Sequence, residues 1–161
     1  MLYEHGIFQC VIISPAGRLL DCRTSSVVLP AHDGKVGILY NHMPMFCELG
    51  LGIIQIRCAY TDADRPADDE LMLIDGGIAM VNSNLLKVIV YDALYLKGLE
   101  TGEAKHMIEM TRKKLIDDMD GSQHREHNIR KLSLLDQLAQ KSIYSVKRPA
   151  QAEPAEIFIP E

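Results

Sequence analysis

The first half of the chain alternates short apolar runs with turn-forming residues. The runs IFQCVII, GIIQIRCAY, ELMLID and LLKVIVY are separated by SPAG, HDGK, Gly76-Gly77 and Ser83-Asn84. Glycine, asparagine and proline at such positions permit tight hairpin turns, and Val/Ile-rich runs suit a pleated, half-buried surface. From residue 7 to about residue 91 the pattern therefore predicts a compact antiparallel β-sandwich or barrel. The acidic stretch TDADRPADDE at residues 61–70 is predicted to be a solvent loop between two strands.

After Tyr91 the apolar positions recur every three or four residues, which is typical of amphipathic helices. Thr101 is a candidate N-cap for the first helix, Asp120-Gly121-Ser122 ends that helix, and a second helix begins near His124. The predicted apolar stripes are Ala104, Met107, Ile108, Thr111 and Leu115 in the first helix, and Ile129, Leu132, Leu135, Leu138, Ala139, Ile143 and Val146 in the second.

This change of pattern divides the chain into three predicted parts. Residues 1–93 form the β-sandwich domain, residues 99–148 form an antiparallel two-helix hairpin, and residues 149–161 form a mobile, Pro-containing tail. The predicted fold class is thus α+β, with strands first and helices second.

Composition and charge narrow the function classes. A chain of 161 residues with 47% hydrophobic composition supports one main domain, and a net charge of -5 argues against a nucleic-acid binder. The predicted hairpin is the basic part, with ten Lys and Arg against eight Asp and Glu. No segment approaches the ~18 apolar residues that a membrane span needs, and no export signal is visible. The four cysteines lack a disulfide or CxxC pattern, which favours reduced, mostly buried thiols.

The candidates for chemistry are few. His42 and Cys47 could form a Cys-His pair for acyl transfer, but no third partner accompanies them, and Cys47 is better interpreted as a core residue. His124 and His127 supply at most half of a zinc site and are predicted to face solvent. The acidic loop lacks the spacing and the glycine of an EF-hand, so no metal site is predicted there. Gly76-Gly77 is interpreted as a hairpin turn, and no phosphate-binding glycine motif is present.

The sequence resembles a known family in four runs, SPAGRLLDCRTSSVVLPAHDGKVGILYNHMPM, ELGLGIIQIR, LMLIDGGIAMV and LLKVIVYDA. In this order and at these separations they resemble the epsilon subunit of bacterial F-type ATP synthases. The resemblance covers about residues 7–93 and includes Asp33, Gly34, Gly37, Ile38, His42 and Pro44. It implies an N-terminal sandwich of about ten strands and a C-terminal helical hairpin, in agreement with the periodicity.

The resemblance also implies function and partners. It implies a non-catalytic rotor subunit, peripheral on the cytoplasmic face of the inner membrane, that couples c-ring rotation through the gamma subunit to ATP synthesis. The residues that match the family's contact positions are Asp33, Gly34, Lys35 and Val36 for the c ring, and His42, Met43 and Pro44 for gamma. Gly34 is expected to permit the Asp-Gly turn, and Gly37 a close backbone approach.

The helical hairpin of this family can inhibit ATP hydrolysis by reaching the alpha-beta hexamer. Basic residues that could contact the beta subunit are Arg112, Lys113, Lys114, Arg125, Arg130 and Lys131. Some members bind ATP through an Asp and an Arg in this hairpin, but the stretch from Thr101 to His106 lacks both, so no ATP site and no cofactor are predicted. The alternatives are a free-standing β-sandwich that binds a small ligand and a Cys-His hydrolase.

Overall fold

The fold was analysed in a computed structural model, which describes residues 6–58, 69–95, 101–121 and 124–145. In these residues the chain forms seven strands and two α-helices. The strands are β1 Phe8–Ser14, β2 Gly17–Ala31, β3 Gly34–Leu39, β4 Met45–Cys58, β5 Asp69–Asn82, β6 Leu85–Val90 and β7 Ala93–Tyr95. The helices are α1 Thr101–Asp117 and α2 Arg125–Ser145, with a 3₁₀ turn at Asp118–Gly121 between them. Strands followed by a helical pair confirm the predicted fold class.

The strands form one sheet that folds over itself into a flattened barrel. Its order is β1-β6-β5-β4-β2-β3, and β1 also pairs with β2, which closes the sheet. All neighbours are antiparallel except β1 and β6, and β7 adds to β5. Alternate side chains point inward, as β6 illustrates: Leu86, Val88 and Val90 are buried, whereas Lys87 and Ile89 are exposed.

Three of the predicted turns are confirmed. Ser14 pairs with Gly17, Ala31 pairs with Gly34, and Asn82 pairs with Leu85, so each hairpin has a two-residue loop. The β5–β6 turn places Ser83 at φ 50° and Asn84 at φ 59°. Positive φ at both central residues is the geometry that matches the twist of the flanking strands.

The prediction of a hairpin at Gly76-Gly77 is wrong, because β5 runs through both glycines. Met72 and Ile74 point inward before them, and Ala79 and Val81 point inward after them, so the alternation reverses across the glycines while the register with β4 does not shift. The two glycines have φ of 80° and 156°. A sequence pattern of strand, glycine pair and strand fits one continuous strand as well as a hairpin. This is one reason why the described residues form seven strands, whereas about ten were predicted.

The acidic stretch 61–70 is only partly within the described residues, since residues 61–68 lie outside them. Its last two residues, Asp69 and Glu70, begin β5, so the predicted loop is too long, although Glu70 also begins the predicted strand run ELMLID. Glu70 is buried and accepts a hydrogen bond of 2.8 Å from the Tyr95 hydroxyl. The pairing of β5 with β4 and β7 brings Asp69 and Glu70 into the sheet. This effect comes from residues far away in the chain, so local composition does not predict it.

The helical hairpin packs on the outer face of β4 and β5. A second apolar cluster joins the buried side chains Ile53 and Leu73 of the strands to Ile108, Leu135 and Leu138 of the helices. Two stripe positions are wrong, because Met107 and Ile129 are exposed. The N-cap side chain of Thr101, the side chain of Ile143, and Ser122, Val146 and the tail lie outside the described part of the structure.

Candidate functional site

The β2–β3 hairpin carries the residues predicted to meet the c ring. Asp33, Gly34 and Lys35 are exposed at its turn, while Val36 is half-buried and packs against the core. Gly34 has φ 149°, a conformation that L residues rarely adopt. The tip therefore presents one carboxylate and one ammonium group on a turn whose shape is set by strand pairing.

Among the described residues of this chain, no other part of the molecule approaches Gly37 closely. No heavy atom lies within 4 Å of the position that a Cβ of Gly37 would occupy. Close approaches occur instead at Gly52, whose Cβ would lie 2.4 Å from Pro30 Cβ, and at Gly77, whose Cβ would lie 2.3 Å from the Ile89 carbonyl oxygen. Gly37 leaves a flat, open spot on the outside of β3.

The connection from β3 to β4 contains the residues predicted to meet gamma. The Asn41 backbone N–H donates to Asn84 Oδ1 at 2.7 Å, and Asn84 Nδ2 donates to Asn41 Oδ1 at 3.0 Å. These two bonds fix the connection to the β5–β6 turn. His42 Nδ1 lies 2.8 Å from the Met43 carbonyl oxygen, and the Met43 side chain is exposed. The segment thus presents an apolar side chain on a braced backbone.

Next to this connection lies an apolar surface that the sequence analysis did not identify. Phe46, Met80 and Ile89 are exposed, and Phe46 keeps 70% of its surface accessible. Pairing places Phe46 opposite Met80, and Ile78 opposite Ile89, all on the outside of the barrel. We call Phe46, Ile78, Met80 and Ile89 the outer strand face.

The four side chains of the outer strand face lie next to one another across β4, β5 and β6, and their charged neighbours are Glu48, opposite Ile78, and Lys87, opposite Met80. Contiguous exposed apolar patches on proteins mark binding surfaces. The sequence does contain a signal for this surface, which is the period-two alternation of residues along each strand. Once Val81 and Val88 are assigned to the core, Met80 and Ile89 must point outward.

A cluster of charges joins α2 to the sandwich. Lys131 Nζ donates to Asp75 Oδ2 at 2.9 Å and to Asp92 Oδ2 at 3.2 Å. His127 Nε2 lies 3.0 Å from Asp75. Only 14% of the Lys131 side chain is exposed, so water screens its contacts only in part. We call Asp75, Asp92, His127 and Lys131 the docking cluster.

The electrostatics of the docking cluster favour its charged form. Burial by itself raises the pKa of Asp75, but hydrogen bonds from Lys131 and His127 outweigh burial and hold that pKa below its usual value. Burial lowers the pKa of Lys131, whereas Asp75 and Asp92 raise it, and the net change is upward. His127 is exposed, as predicted, and its ring also bonds Asp75, a contact that the sequence analysis did not predict.

The six basic residues predicted to contact the beta subunit fall into two groups. Lys131 belongs to the docking cluster, and Arg112 of α1 pairs with Asp136 of α2. Lys113, Lys114, Arg125 and Arg130 are exposed on the helices. In this arrangement the first group stabilises the hairpin and its packing, and the second group is accessible from solvent.

A cavity of about 340 Å³ lies between the helices and β5. Carboxylates of Asp75, Asp92 and Asp118 line it together with Lys114 and Lys131. Lys131 is already bonded to two of these carboxylates, so an anion entering the cavity meets negative charge as well as positive. The cavity is poorly suited to a phosphate group.

The candidate Cys-His pair has no sign of activation. Cys47 packs against the core, and burial, followed by the negative charge of Asp33, raises the pKa of its thiol. An activated cysteine requires the opposite shift. In the described residues no group of three or more His, Cys, Asp or Glu side chains is arranged to hold a metal ion. Among the helices that the structure describes, none is long and apolar enough to cross a membrane.

Comparison with known proteins adds a family match. Residues 7–95 match the family ATP synthase, Delta/Epsilon chain, beta-sandwich domain. The ATP synthase epsilon chain of Campylobacter concisus is 30% identical over 108 residues, covering 67% of this chain and 78% of the relative. The chloroplastic epsilon chain of Anthoceros angustus is 27% identical over 118 residues, covering 73% of this chain and 80% of the relative.

A solved structure has the same fold. A chain in the Euglena gracilis mitochondrial ATP synthase, in an assembly of OSCP, F1 and c-ring, superposes with a TM-score of 0.53 at 15% identity. The match covers 86% of this chain and 81% of that chain. At this identity the likeness concerns the fold alone.

Proposed function

The chain belongs to the ATP synthase epsilon chain family, and we propose that it joins the c ring to the gamma subunit through two surfaces of its sandwich. Members of this family are non-catalytic subunits of the rotary ATP synthase, a membrane-associated complex. The observation that carries the proposal is the outer strand face, because a rigid exposed apolar surface is what a permanent subunit contact needs.

Gamma is the proposed partner of the outer strand face. Met43 is exposed three residues before Phe46, and the bonds between Asn41 and Asn84 brace the backbone beside it. His42, Met43 and Pro44 directly precede β4, so the predicted gamma contact leads into the strand that carries Phe46. Burying Phe46 there contributes about 2 kcal/mol to binding.

The β2–β3 hairpin is the proposed contact with the c ring. Its turn exposes Asp33 and Lys35, two side chains of opposite charge, and Gly34 carries no side chain between them. Val36 anchors the turn to the core. A charged tip on a rigid hairpin suits contact with the polar loops of the rotating c ring, because a contact that deforms transmits less torque. We propose that these contacts hold the protein peripherally, on the cytoplasmic face of the inner membrane.

The helical hairpin, residues 99–148, is proposed as a regulatory domain distinct from the sandwich of residues 1–93. The docking cluster and the second apolar cluster hold it down in the present arrangement. Release of the hairpin frees Lys131 for the beta subunit, alongside Lys113, Lys114, Arg125 and Arg130, and Arg112 if its pair with Asp136 also opens. Truncation after Tyr95 in the assembled enzyme tests this proposal. A faster ATP hydrolysis supports inhibition by the hairpin, and an unchanged rate contradicts it.

The gamma contact is tested by co-purification of the full chain with the gamma subunit. Phe46→Asp places a charge in the outer strand face, whereas Met110→Asp is the matched control on helix α1. Both side chains are exposed, at 70% and 58%, so neither substitution disturbs the core. We expect Phe46→Asp to weaken binding roughly 10- to 100-fold and Met110→Asp to leave binding nearly unchanged. Equal effects of the two substitutions contradict the proposed surface.

A further inference from the structure

Two cysteine side chains meet at one end of the sandwich, away from the surfaces assigned above. Cys22 lies in β2 and Cys58 ends β4, and their Sγ atoms are 3.7 Å apart. A disulfide bond joins two sulfur atoms at about 2.05 Å, so both residues are thiols in this structure. The distance is within the range of direct contact between two sulfur atoms.

The strand pairing explains the contact. Thr24 of β2 faces Cys58 of β4, and Cys22 lies two residues from Thr24 on the same side of its strand. Both cysteines pack against the main core and both are partly exposed. Small molecules in solution can therefore reach them, while their backbones are held by the sheet.

The other two cysteines differ from this pair. Cys10 faces Cys22 across β1 and β2 and is fully buried. Burial, with smaller contributions from Cys58 and Asp21, raises the pKa of Cys10 to about 12. A thiol attacks a disulfide only as a thiolate, so Cys10 is a poor nucleophile at neutral pH. Cys47 packs on the core near the start of β4.

We propose that Cys22 and Cys58 form a redox-responsive pair that closes to an intramolecular disulfide on reaction with a low-molecular-weight disulfide such as glutathione disulfide. The thiolate of one cysteine attacks the disulfide, forms a mixed disulfide with one glutathionyl group and releases one glutathione thiolate. The thiolate of the second cysteine then attacks the protein sulfur of the mixed disulfide and expels the other glutathione. The protein loses two electrons and two protons, and glutathione disulfide gains both as two glutathione molecules.

The cross-link fastens β4 to β2 and encloses the β2–β3 hairpin. Cys22 and Cys58 are 36 positions apart in the chain, so their bond restricts a long loop in the unfolded state. We expect the oxidised protein to melt roughly 10 °C above the reduced protein, and a dithiol reductant to reverse the shift. The outer strand face and the docking cluster contain neither cysteine, so this inference does not depend on the proposed partners.

The test is non-reducing peptide mapping of the purified full chain after incubation with glutathione disulfide. We expect the protein to lose the mass of two hydrogen atoms and to yield one linked peptide pair that contains Cys22 and Cys58. Cys22→Ser and Cys58→Ser are expected instead to keep one glutathionyl group as a mixed disulfide, because the resolving thiol is absent. Cys47→Ala is the matched control and should cross-link as fast as the unchanged chain.

Three outcomes overturn the proposal. One is a linked peptide pair that joins Cys10 to Cys22, which would show that the reactive pair is not Cys22 and Cys58. Another is cross-linking at an unchanged rate in Cys58→Ser, which would show the same. Recovery of both cysteines as thiols under conditions that fully oxidise a model dithiol shows that the sheet prevents closure. The melting temperature of Cys22→Ser, measured without oxidant, establishes that the variant is folded before its chemistry is compared.

Discussion

Replacing Leu135 with alanine is expected to release the helical hairpin while leaving the strands folded. Leu135 is fully buried in the cluster between α2 and the sandwich, where its neighbours include Ile53 and Leu73 of the strands. Truncating a buried leucine removes its transfer free energy and leaves a cavity, and together these cost about 3 kcal/mol. The main core contains none of these atoms, so this cost falls on the contact between helices and sheet.

The assay is native-state hydrogen exchange of backbone amides. A cost of about 3 kcal/mol corresponds to roughly a hundredfold faster exchange wherever opening of the hairpin controls the rate. We expect this acceleration for amides of α1 and α2, and little change at Ile54 and Ile74 in the middle of the sheet. Ile129→Ala in the same helix is the control, because Ile129 is 50% exposed and should change exchange by less than about threefold.

The refuting result is parallel acceleration of helix and strand amides in Leu135→Ala. It would mean that the hairpin and the sandwich open as one cooperative unit, so the second apolar cluster would not be a boundary between separable parts. Unchanged exchange rates of the helix amides in Leu135→Ala would refute the reasoning in another way, since they would show that the docking cluster alone holds the hairpin on the sheet.

Two further predictions concern charge and backbone. Asp75→Asn should lower the melting temperature because Lys131 loses its nearer carboxylate. The pKa of Asp75 is lowered in the folded protein. The stability that the Asp75 carboxylate contributes is therefore complete well above its ordinary pKa of 3.8 and is lost as the pH falls below that value. The difference in melting temperature between the two proteins should vanish in acid. Thermal melts from pH 2 to 7 measure this. Gly77→Ala should destabilise by about 2–4 kcal/mol in urea titrations, since a Cβ there meets the Ile89 carbonyl oxygen at 2.3 Å and φ is 156°. Gly37→Ala, which meets no atom within 4 Å, should be neutral within about 0.5 kcal/mol.

The candidate surfaces were only partly predictable from sequence. The resemblance directed attention to Asp33–Val36 and to His42–Pro44, and the structure exposes most of both segments, with Val36 and His42 half-buried. It did not direct attention to Phe46, Met80 and Ile89, because an apolar residue in a strand is ordinarily assigned to the core. Whether such a residue points inward depends on which neighbour in the strand is buried.

Local patterns in the sequence determined the class of the fold. Period-two runs specify strands, the periodic stripes after Tyr91 specify helices, and residue pairs such as Ser83-Asn84 permit the turns that join them. These features depend on backbone conformations within a few residues, so a single stretch of chain contains all the information that they need.

Contacts between distant residues decided the rest. Gly76-Gly77 became part of one continuous strand because β4 pairs along nearly the whole of β5, and His127 bonds Asp75 because α2 packs against that strand, 52 positions away. Met107 and Ile129 were left exposed because the helices bury only the side that faces the sheet. Amphipathic elements carry their apolar stripes in their own sequence, but which side is buried, and which charges meet there, depends on the packing of elements far apart in the chain.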